Sequence, residues 1–122
     1  MGALTFKGVQ SFGIVRFLLS QGPDTQAITP LEVATQIPIP RPGSIRSVKM
    51  KPRVNTLDQP ATINLKVNGI TALSVVIPAG STAIATIPGP IAVGFGALIS
   101  VEIDTVLSLI GSVNLSVDMI FI

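Results

Sequence analysis

The charged side chains are the groups that could do chemistry in this sequence, because its 122 residues include no histidine and no cysteine. Without an imidazole or a thiol, the common nucleophile–base pairs and the usual zinc sites cannot be assembled. Serine and threonine are plentiful, but no histidine is available to activate a hydroxyl group. The sequence therefore predicts a protein that is not an enzyme and that uses no cofactor and no metal.

Basic residues are concentrated in the middle of the chain, where residues 33–57 contain no acidic residue. Lys49, Lys51 and Arg53 are spaced two apart, so on a β-strand they project from one face. This row could contact phosphate or an acidic protein surface, or it could be a solvated strand face that discourages edge pairing. Because no aromatic residue is interleaved to stack on bases, we predict a protein contact or exposure to solvent, and no nucleic acid partner.

Three acidic residues form the other candidate set: Glu102, Asp104 and Asp118. Paired carboxylates can hydrolyse glycosides or bind calcium. The sequence has no spacing typical of a calcium loop and no aromatic platform that would hold a sugar ring. We interpret these three residues as ordinary surface charges.

The elements that carry these residues are short and are separated by proline and glycine, which is typical of a β-sandwich or barrel. The clearest strand is 62–68, in which Ile63, Leu65 and Val67 alternate with polar residues before the turn pair Asn68-Gly69. Further strands are predicted over 13–19, 27–34, 45–54, 73–77, 82–87, 91–95, 98–104 and 112–122. The fold class predicted is all-β, a single jelly-roll-like β-sandwich of about eight short antiparallel strands.

The first 25 residues are less regular, and we expect either an N-terminal arm or the first strands there, with residues 26–122 forming the sandwich. This segment contains three of the five phenylalanines, Phe6, Phe12 and Phe17, which could anchor an arm on a neighbouring subunit. The beginning of the chain, MGALTFKGVQ, lacks the basic and apolar regions of a signal peptide. We therefore expect the chain to be released in the cytoplasm of the cell that makes it.

The chain carries more apolar residues than a domain of this size can hide. Hydrophobic residues make up 48% and charged residues 11%, against a usual charged share of roughly 25%. No uninterrupted apolar stretch is long enough to cross a membrane, so no membrane is predicted as a partner. Ile120 and Ile122 make both faces of the last strand apolar, which indicates either cover by the N-terminal arm or a subunit interface. We predict a homo-oligomer, a trimer, with this strand at or near the contact.

The central part of the chain resembles a known group of proteins. Residues 42–80 read PGSIRSVKMKPRVNTLDQPATINLKVNGITALSVVIPAG. In its order of turns and strands this span is similar to the small jelly-roll, TNF-like modules of tailed-bacteriophage virion proteins, which include trimeric head-decoration proteins and fibre tips. Residues 93–105, VGFGALISVEIDT, resemble a later strand of those modules. Ala97 replaces an aspartate there, so no polar or metal role is carried over to that position.

The resemblance implies a virion structural protein. The reading that the composition favours is a capsid decoration or cement protein that stabilises the shell through contacts with the major capsid protein or other virion proteins. The alternative is a receptor-binding or fibre-tip module. Recognition surfaces rely on tyrosine and tryptophan, and this sequence has neither, which counts against the alternative.

Overall fold

The computed structural model describes residues 2–11, 13–17, 19–20, 37–38, 43–94 and 97–121. Regular structure within these residues is β throughout. The ten strands are β1 (Gly2–Ser11), β2 (Val15–Phe17), β3 (Leu19–Ser20), β4 (Ile37–Pro38), β5 (Gly43–Asn55), β6 (Ala61–Val67), β7 (Ile70–Ile77), β8 (Ala85–Val93), β9 (Leu98–Asp104) and β10 (Ser112–Phe121). Eight of them have three or more residues, and the predicted all-β sandwich is confirmed.

The strands form two antiparallel sheets. Sheet A has the order β3-β1-β10-β5-β8, and sheet B has the order β2-β9-β6-β7, with β4 also paired to β9. The inward-facing side chains of both sheets form one core. Its largest fully buried apolar members are Phe6, Ile45, Met50, Ile63, Leu65, Ile99, Ile103, Leu115, Met119 and Val48.

Local sequence explains the β6–β7 hairpin. Alternate residues of β6 are buried from Ala61 to Leu65, as the period-two pattern predicts. Asn68 and Gly69 both have positive φ, 54° and 79°, which is the backbone that a two-residue hairpin turn requires. This predicted strand and its turn are therefore confirmed.

Four of the loops that pass between the two sheets lie at one end of the sandwich, which we call the loop end. They connect β1 to β2, β5 to β6, β7 to β8 and β9 to β10. The strand register brings them together, because Ser11 pairs with Ser112 and Asn55 pairs with Val113 in sheet A. In sheet B, Asp104 pairs with both Val15 and Thr62.

The beginning of the chain is a strand of the sandwich. β1 pairs with β10 from Gly2 to Ser11, so for these residues the structure has first strands and no separate arm. Phe6 is 0% exposed and belongs to the core of its own chain. The prediction that Phe6 anchors a neighbour is therefore wrong, because its side chain already fills the space between the two sheets. Phe12 lies outside the described residues.

One predicted strand end is also wrong. The sequence Pro88-Gly89-Pro90 was expected to end a strand, but β8 continues through it to Val93. β8 is an edge strand of sheet A, and a proline without an N–H group is tolerated at an edge. The strand predicted over 27–34 lies outside the described residues.

Candidate protein-contact surface

Large apolar side chains are left exposed mainly at the loop end. Among the described residues, those with high exposure there are Val54, Ile84, Val106, Leu107, Leu109 and Ile110. The others, Ile70, Val76 and Ile120, lie on the sheets. Since a folded chain usually keeps its largest apolar patches for a partner, the loop end is the candidate contact surface.

The connection from β9 to β10 contributes most of this surface. Val106, Leu107, Leu109 and Ile110 are between 53% and 75% exposed, and we call these four residues the apolar tip. Sequence reasoning missed them. The signal was present, because a run of large apolar residues stands where a connection between strands is normally polar.

The carboxylate of Asp58 holds the apolar tip from the neighbouring loop. Its Oδ1 atom accepts hydrogen bonds from the backbone N–H groups of Leu109, at 2.8 Å, and Ile110, at 3.3 Å. The Leu109 hydrogen bond is the largest of the influences that place the pKa of Asp58 below its ordinary value. Ser108, which lies between Leu107 and Leu109, is buried, and its hydroxyl group donates a hydrogen bond to the carbonyl of Gln59 at 3.3 Å.

A second set of hydrogen bonds fixes the start of the same connection. Thr105 N–H donates to the Ile14 carbonyl at 2.9 Å, and Gly13 N–H donates to the Thr105 carbonyl at 2.8 Å. Gln10, which is fully buried, donates from Nε2 to the same Ile14 carbonyl at 2.9 Å. Asp104 Oδ1 accepts from the N–H of Val106 at 2.9 Å.

Gly111 closes the connection where it returns to β10. Its φ is +94°, a conformation that other residues rarely adopt. A Cβ atom at this position would collide with the backbone carbonyl group of Thr56. Thr56 and Ser112 bond to each other there, with Thr56 N–H donating to the Ser112 carbonyl at 2.8 Å and Ser112 N–H donating to Thr56 Oγ1 at 3.0 Å. The apolar tip is therefore held in one shape from both sides.

The amount of apolar surface in the tip limits how strongly a single tip can bind a partner. Fully burying a Val, Leu or Ile side chain contributes about 1.5–3 kcal/mol, so covering these four partly exposed ones contributes about 4–8 kcal/mol. Association itself costs about 4–15 kcal/mol. One tip on its own thus gives weak binding, and firm attachment needs a further contact or several copies acting together.

The basic row (Lys49, Lys51 and Arg53) lies on β5, and the structure brings two of its members around one acid. Lys51 Nζ is 3.0 Å from Asp118 Oδ2, while Thr5 Oγ1 donates to Asp118 Oδ1 at 2.8 Å. Lys49 pairs with Asp118 in the strand register. Arg53 is exposed at a β-bulge, where the register with β10 shifts.

The surroundings of Asp118 act on its pKa in opposite directions. Partial burial raises it, but the hydrogen bonds from Lys51 and Thr5 and the charges of Lys51 and Lys49 outweigh that effect. The pKa of Asp118 therefore lies below its ordinary value, and the carboxylate compensates part of the basic charge within the chain.

Glu102 and Asp104 also have partners in their own chain. Lys66 Nζ lies 3.3 Å from Glu102 Oε2, and Asn64 Nδ2 donates to Glu102 Oε1 at 2.8 Å. The Lys66 ammonium lies 5.6 Å from the ring centroid of Phe17, which is buried in β2. The prediction that Phe17 anchors a neighbour is therefore also wrong, because its own chain already covers the ring. In the part of the chain that the structure describes, no group of three or more acidic, histidine or cysteine side chains could hold a metal ion.

The last strand lies inside sheet A, between β1 and β5, so both of its edges are already paired. Ile120 lies opposite Ala3 and Ser47 and is 40% exposed. Because β1 lies beside β10, the described N-terminal residues do not cover Ile120. A subunit contact at Ile120 stays a prediction, and Ile122 lies outside the described residues.

No helix within the described ranges is long and apolar enough to cross a membrane. No protein-family model and no curated protein matches the sequence. Solved structures do resemble the chain. A mannanase of Podospora anserina, GH26-CBM35 beta-(1,4)-mannanase, is similar with a TM-score of 0.52 and 11% identity over 99% of this chain, which spans only 28% of the mannanase chain.

Two other similar structures match over nearly their whole length. The CBM36-1 domain of a multidomain xylanase from the hindgut metagenome of Trinervitermes trinervoides has a TM-score of 0.49 and 13% identity, over 97% of this chain and 96% of that one. The structure of FlhE has a TM-score of 0.47 and 13% identity, over 98% and 94%. These two likenesses carry no argument about function, and the β-sandwich fold follows from the two sheets described above.

Proposed function

We propose that this chain is a non-enzymatic structural protein that attaches to a larger protein assembly through its loop end. The observation that supports this is the apolar tip, in which four exposed apolar side chains stand on a backbone fixed by hydrogen bonds to two neighbouring loops. A surface that is already ordered loses little conformational freedom when it docks. It also carries few charges that would have to be stripped of water.

The assembly we propose is a viral shell, with the chain as a capsid decoration or cement protein located in the virion. The viral part rests on the resemblance of residues 42–80 and 93–105 to phage modules. A subunit that binds only the assembled lattice stabilises it by mass action. Weak binding by a single tip fits this role, because many copies on one lattice add their contributions. A homo-oligomer and contact with the major capsid protein belong to the same proposal.

Sugar binding is not proposed. Two of the similar structures have carbohydrate-binding modules in their names, but at 11–13% identity that likeness concerns the fold. The sequence has no tyrosine or tryptophan to stack on a sugar ring. Among the described residues, the surface that stands out is apolar.

The test uses virion shells stripped of this chain and then reloaded. Shells would receive the natural chain, the double variant Leu107→Ser/Leu109→Ser, the control Ile120→Ser, or no chain. We expect the natural chain and the Ile120 variant to raise the heat tolerance of the shells, and the tip variant to bind weakly and protect little. Far-UV circular dichroism of each variant checks that the sandwich is intact.

Equal heat tolerance in all four samples would remove the cement function and leave the fibre-tip alternative. Loss of protection in the Ile120 variant alone would move the contact from the loop end to the outer face of sheet A.

A further inference from the structure

The two strands at one side of the sandwich, β7 of sheet B and β8 of sheet A, differ in how well their edges are protected against pairing with another strand. Each strand is the last described member of its sheet on that side. β8 carries Pro88 and Pro90, and each proline removes a backbone donor from the edge. β7 reads ITALSVVI and contains no proline, no glycine and no charged residue. Charged residues and proline are the usual protection of an edge strand against pairing with another chain.

The straight part of the β7 edge is five residues long. The register between β6 and β7 shifts at Ala72, because Leu65 pairs with Leu73 while Lys66 pairs with Thr71. Such a bulge interrupts regular pairing, so it limits an added strand to residues 73–77. Five residues are enough for a short antiparallel pairing.

The core beside this edge is incompletely covered. Leu73 and Val75 face inward, opposite the fully buried Leu65 and Ile63, but they are only partly buried themselves. On the outer face of the same strand, Ser74 and Val76 are exposed. A further strand beside β7 would cover the open side of Leu73 and Val75 and would pair with the backbone groups of the edge that no described strand pairs.

We propose that a second copy of this chain supplies that strand, with β7 of each copy pairing antiparallel to β7 of the other about a two-fold axis at Val75. In this register Val75 lies opposite Val75, and Leu73 lies opposite Ile77, so every inward-facing pair is apolar. Ser74 lies opposite Val76 on the outer face. Because β7 has no charge, the symmetric contact brings no like charges together.

This contact uses the β7 edge and not the apolar tip, so it does not depend on attachment through the loop end. It makes the oligomer a dimer instead of the trimer predicted from the sequence. It is tested first by sedimentation equilibrium of the natural chain and of the double variant Ser74→Lys/Val76→Lys. Both substituted side chains are exposed, and in the dimer each new lysine lies opposite another. We expect a dimer whose apparent Kd rises about tenfold or more in this variant, while the uncharged control Ser74→Thr/Val76→Thr stays close to the natural chain.

Cross-linking gives a second readout that does not depend on charge. The chain has no cysteine, so a single introduced cysteine reports one contact. Val75→Cys should form a disulfide-linked dimer on oxidation, because the Cα atoms of directly opposite residues are about 4.5–5.5 Å apart, within the range that a disulfide spans. Leu109→Cys, in the apolar tip, should not.

A monomer at every concentration, a trimer, or an unchanged Kd in the lysine variant would each overturn the β7 pairing. So would cross-linking of Leu109→Cys as readily as Val75→Cys. A trimer would at the same time support the symmetry predicted from the sequence. Failure of the β7 pairing leaves the shell experiment unaffected, since that experiment depends on Leu107 and Leu109.

Discussion

The basic row and the apolar tip both face outward, but they differ in whether their side chains have partners within the chain. In the basic row, Lys51 meets Asp118, which also accepts a hydrogen bond from Thr5. In the apolar tip the chain binds the backbone, through Asp58 and Thr105, and leaves the side chains exposed. A compensated surface ion pair needs no partner, whereas ordered apolar side chains gain by finding one. The region with the more conspicuous sequence pattern is therefore the weaker candidate for a contact.

The largest expected effect comes from breaking the frame of the tip at Gly111. Gly111→Ala places a Cβ against the Thr56 carbonyl group at a φ of +94°, so neither the space nor the backbone conformation suits alanine. We expect a loss of about 3 kcal/mol or more in the free energy of unfolding, measured by urea denaturation. Gly80→Ala is the matched control, because its φ is +69° but nothing lies within 4 Å of the added atom. That control should cost about 1–2 kcal/mol. Equal losses would mean that the loop moves away from Thr56 easily and that the tip is not rigid.

A smaller effect is expected from removing the carboxylate that holds the tip. Asp58→Ala takes away the acceptor for the N–H groups of Leu109 and Ile110. Amide hydrogen exchange should become several-fold faster at these two residues, because their donors then face water or no partner. Asp104→Ala serves as the control and should release the N–H of Val106 instead. If Leu109 and Ile110 exchange at the natural rate in Asp58→Ala, something other than Asp58 orders the tip.

The same carboxylate should make the order of the tip depend on pH. The pKa of Asp58 is lowered in the folded chain relative to the ordinary value of 3.8, so the folded chain binds the proton less readily than the unfolded chain. Its contribution is present above pH 3.8 and is lost as the pH falls through the folded-state pKa below that value. The protection factors of the Leu109 and Ile110 amides, in which the pH dependence of intrinsic exchange is divided out, should therefore fall in that acid range, and this step should be missing in Asp58→Ala. A step of the same size in both proteins would assign the acid sensitivity to another group.

The smallest effect is expected in the basic row. The Lys51 and Asp118 side chains are 40% and 32% exposed, so solvent screens their attraction. Lys51→Met should lower the free energy of unfolding by less than about 1 kcal/mol. In an NMR titration the pKa of Asp118 should rise toward its ordinary value, because its hydrogen bond and nearest charge are gone. Lys49→Met should raise it less, since Lys49 acts through its charge alone. A larger loss of stability in Lys51→Met than in Gly111→Ala would reverse the comparison between the two regions.

The parts of the fold that were predictable from the sequence depend on residues that are close together along the chain. The β6–β7 hairpin follows from alternating side chains and from Asn68-Gly69, and β9 occupies the predicted residues 98–104. β8 was predicted to end before Pro88, because proline usually interrupts a strand. That it continues follows from its position at a sheet edge, where proline is tolerated, and this position depends on the order of the whole sheet.

The candidate site was harder to predict because it is built from contacts that are remote in sequence. Asp58 and Leu109 are 51 residues apart, and nothing in the sequence indicates that they meet. The burial of Phe6 could not be predicted, because it depends on the pairing of β1 with β10, which joins the two ends of the described chain. The basic row was found at once, since its spacing of two is a local pattern.

The position of β10 also sets the order in which the protein can be completed during synthesis. β10 is the last described strand to be made, yet it lies between β1 and β5, where it pairs along almost its whole length with both. The β6–β7 hairpin can form as soon as it leaves the ribosome, because its strands are adjacent in sequence. Sheet A cannot form in its final order until residues 112–121 have emerged. Phe6 pairs with Val117, which is synthesised more than a hundred residues later. During that time the nascent chain presents the edges of β1 and β5 that β10 later covers, and unpaired strand edges make an incomplete fold prone to aggregation.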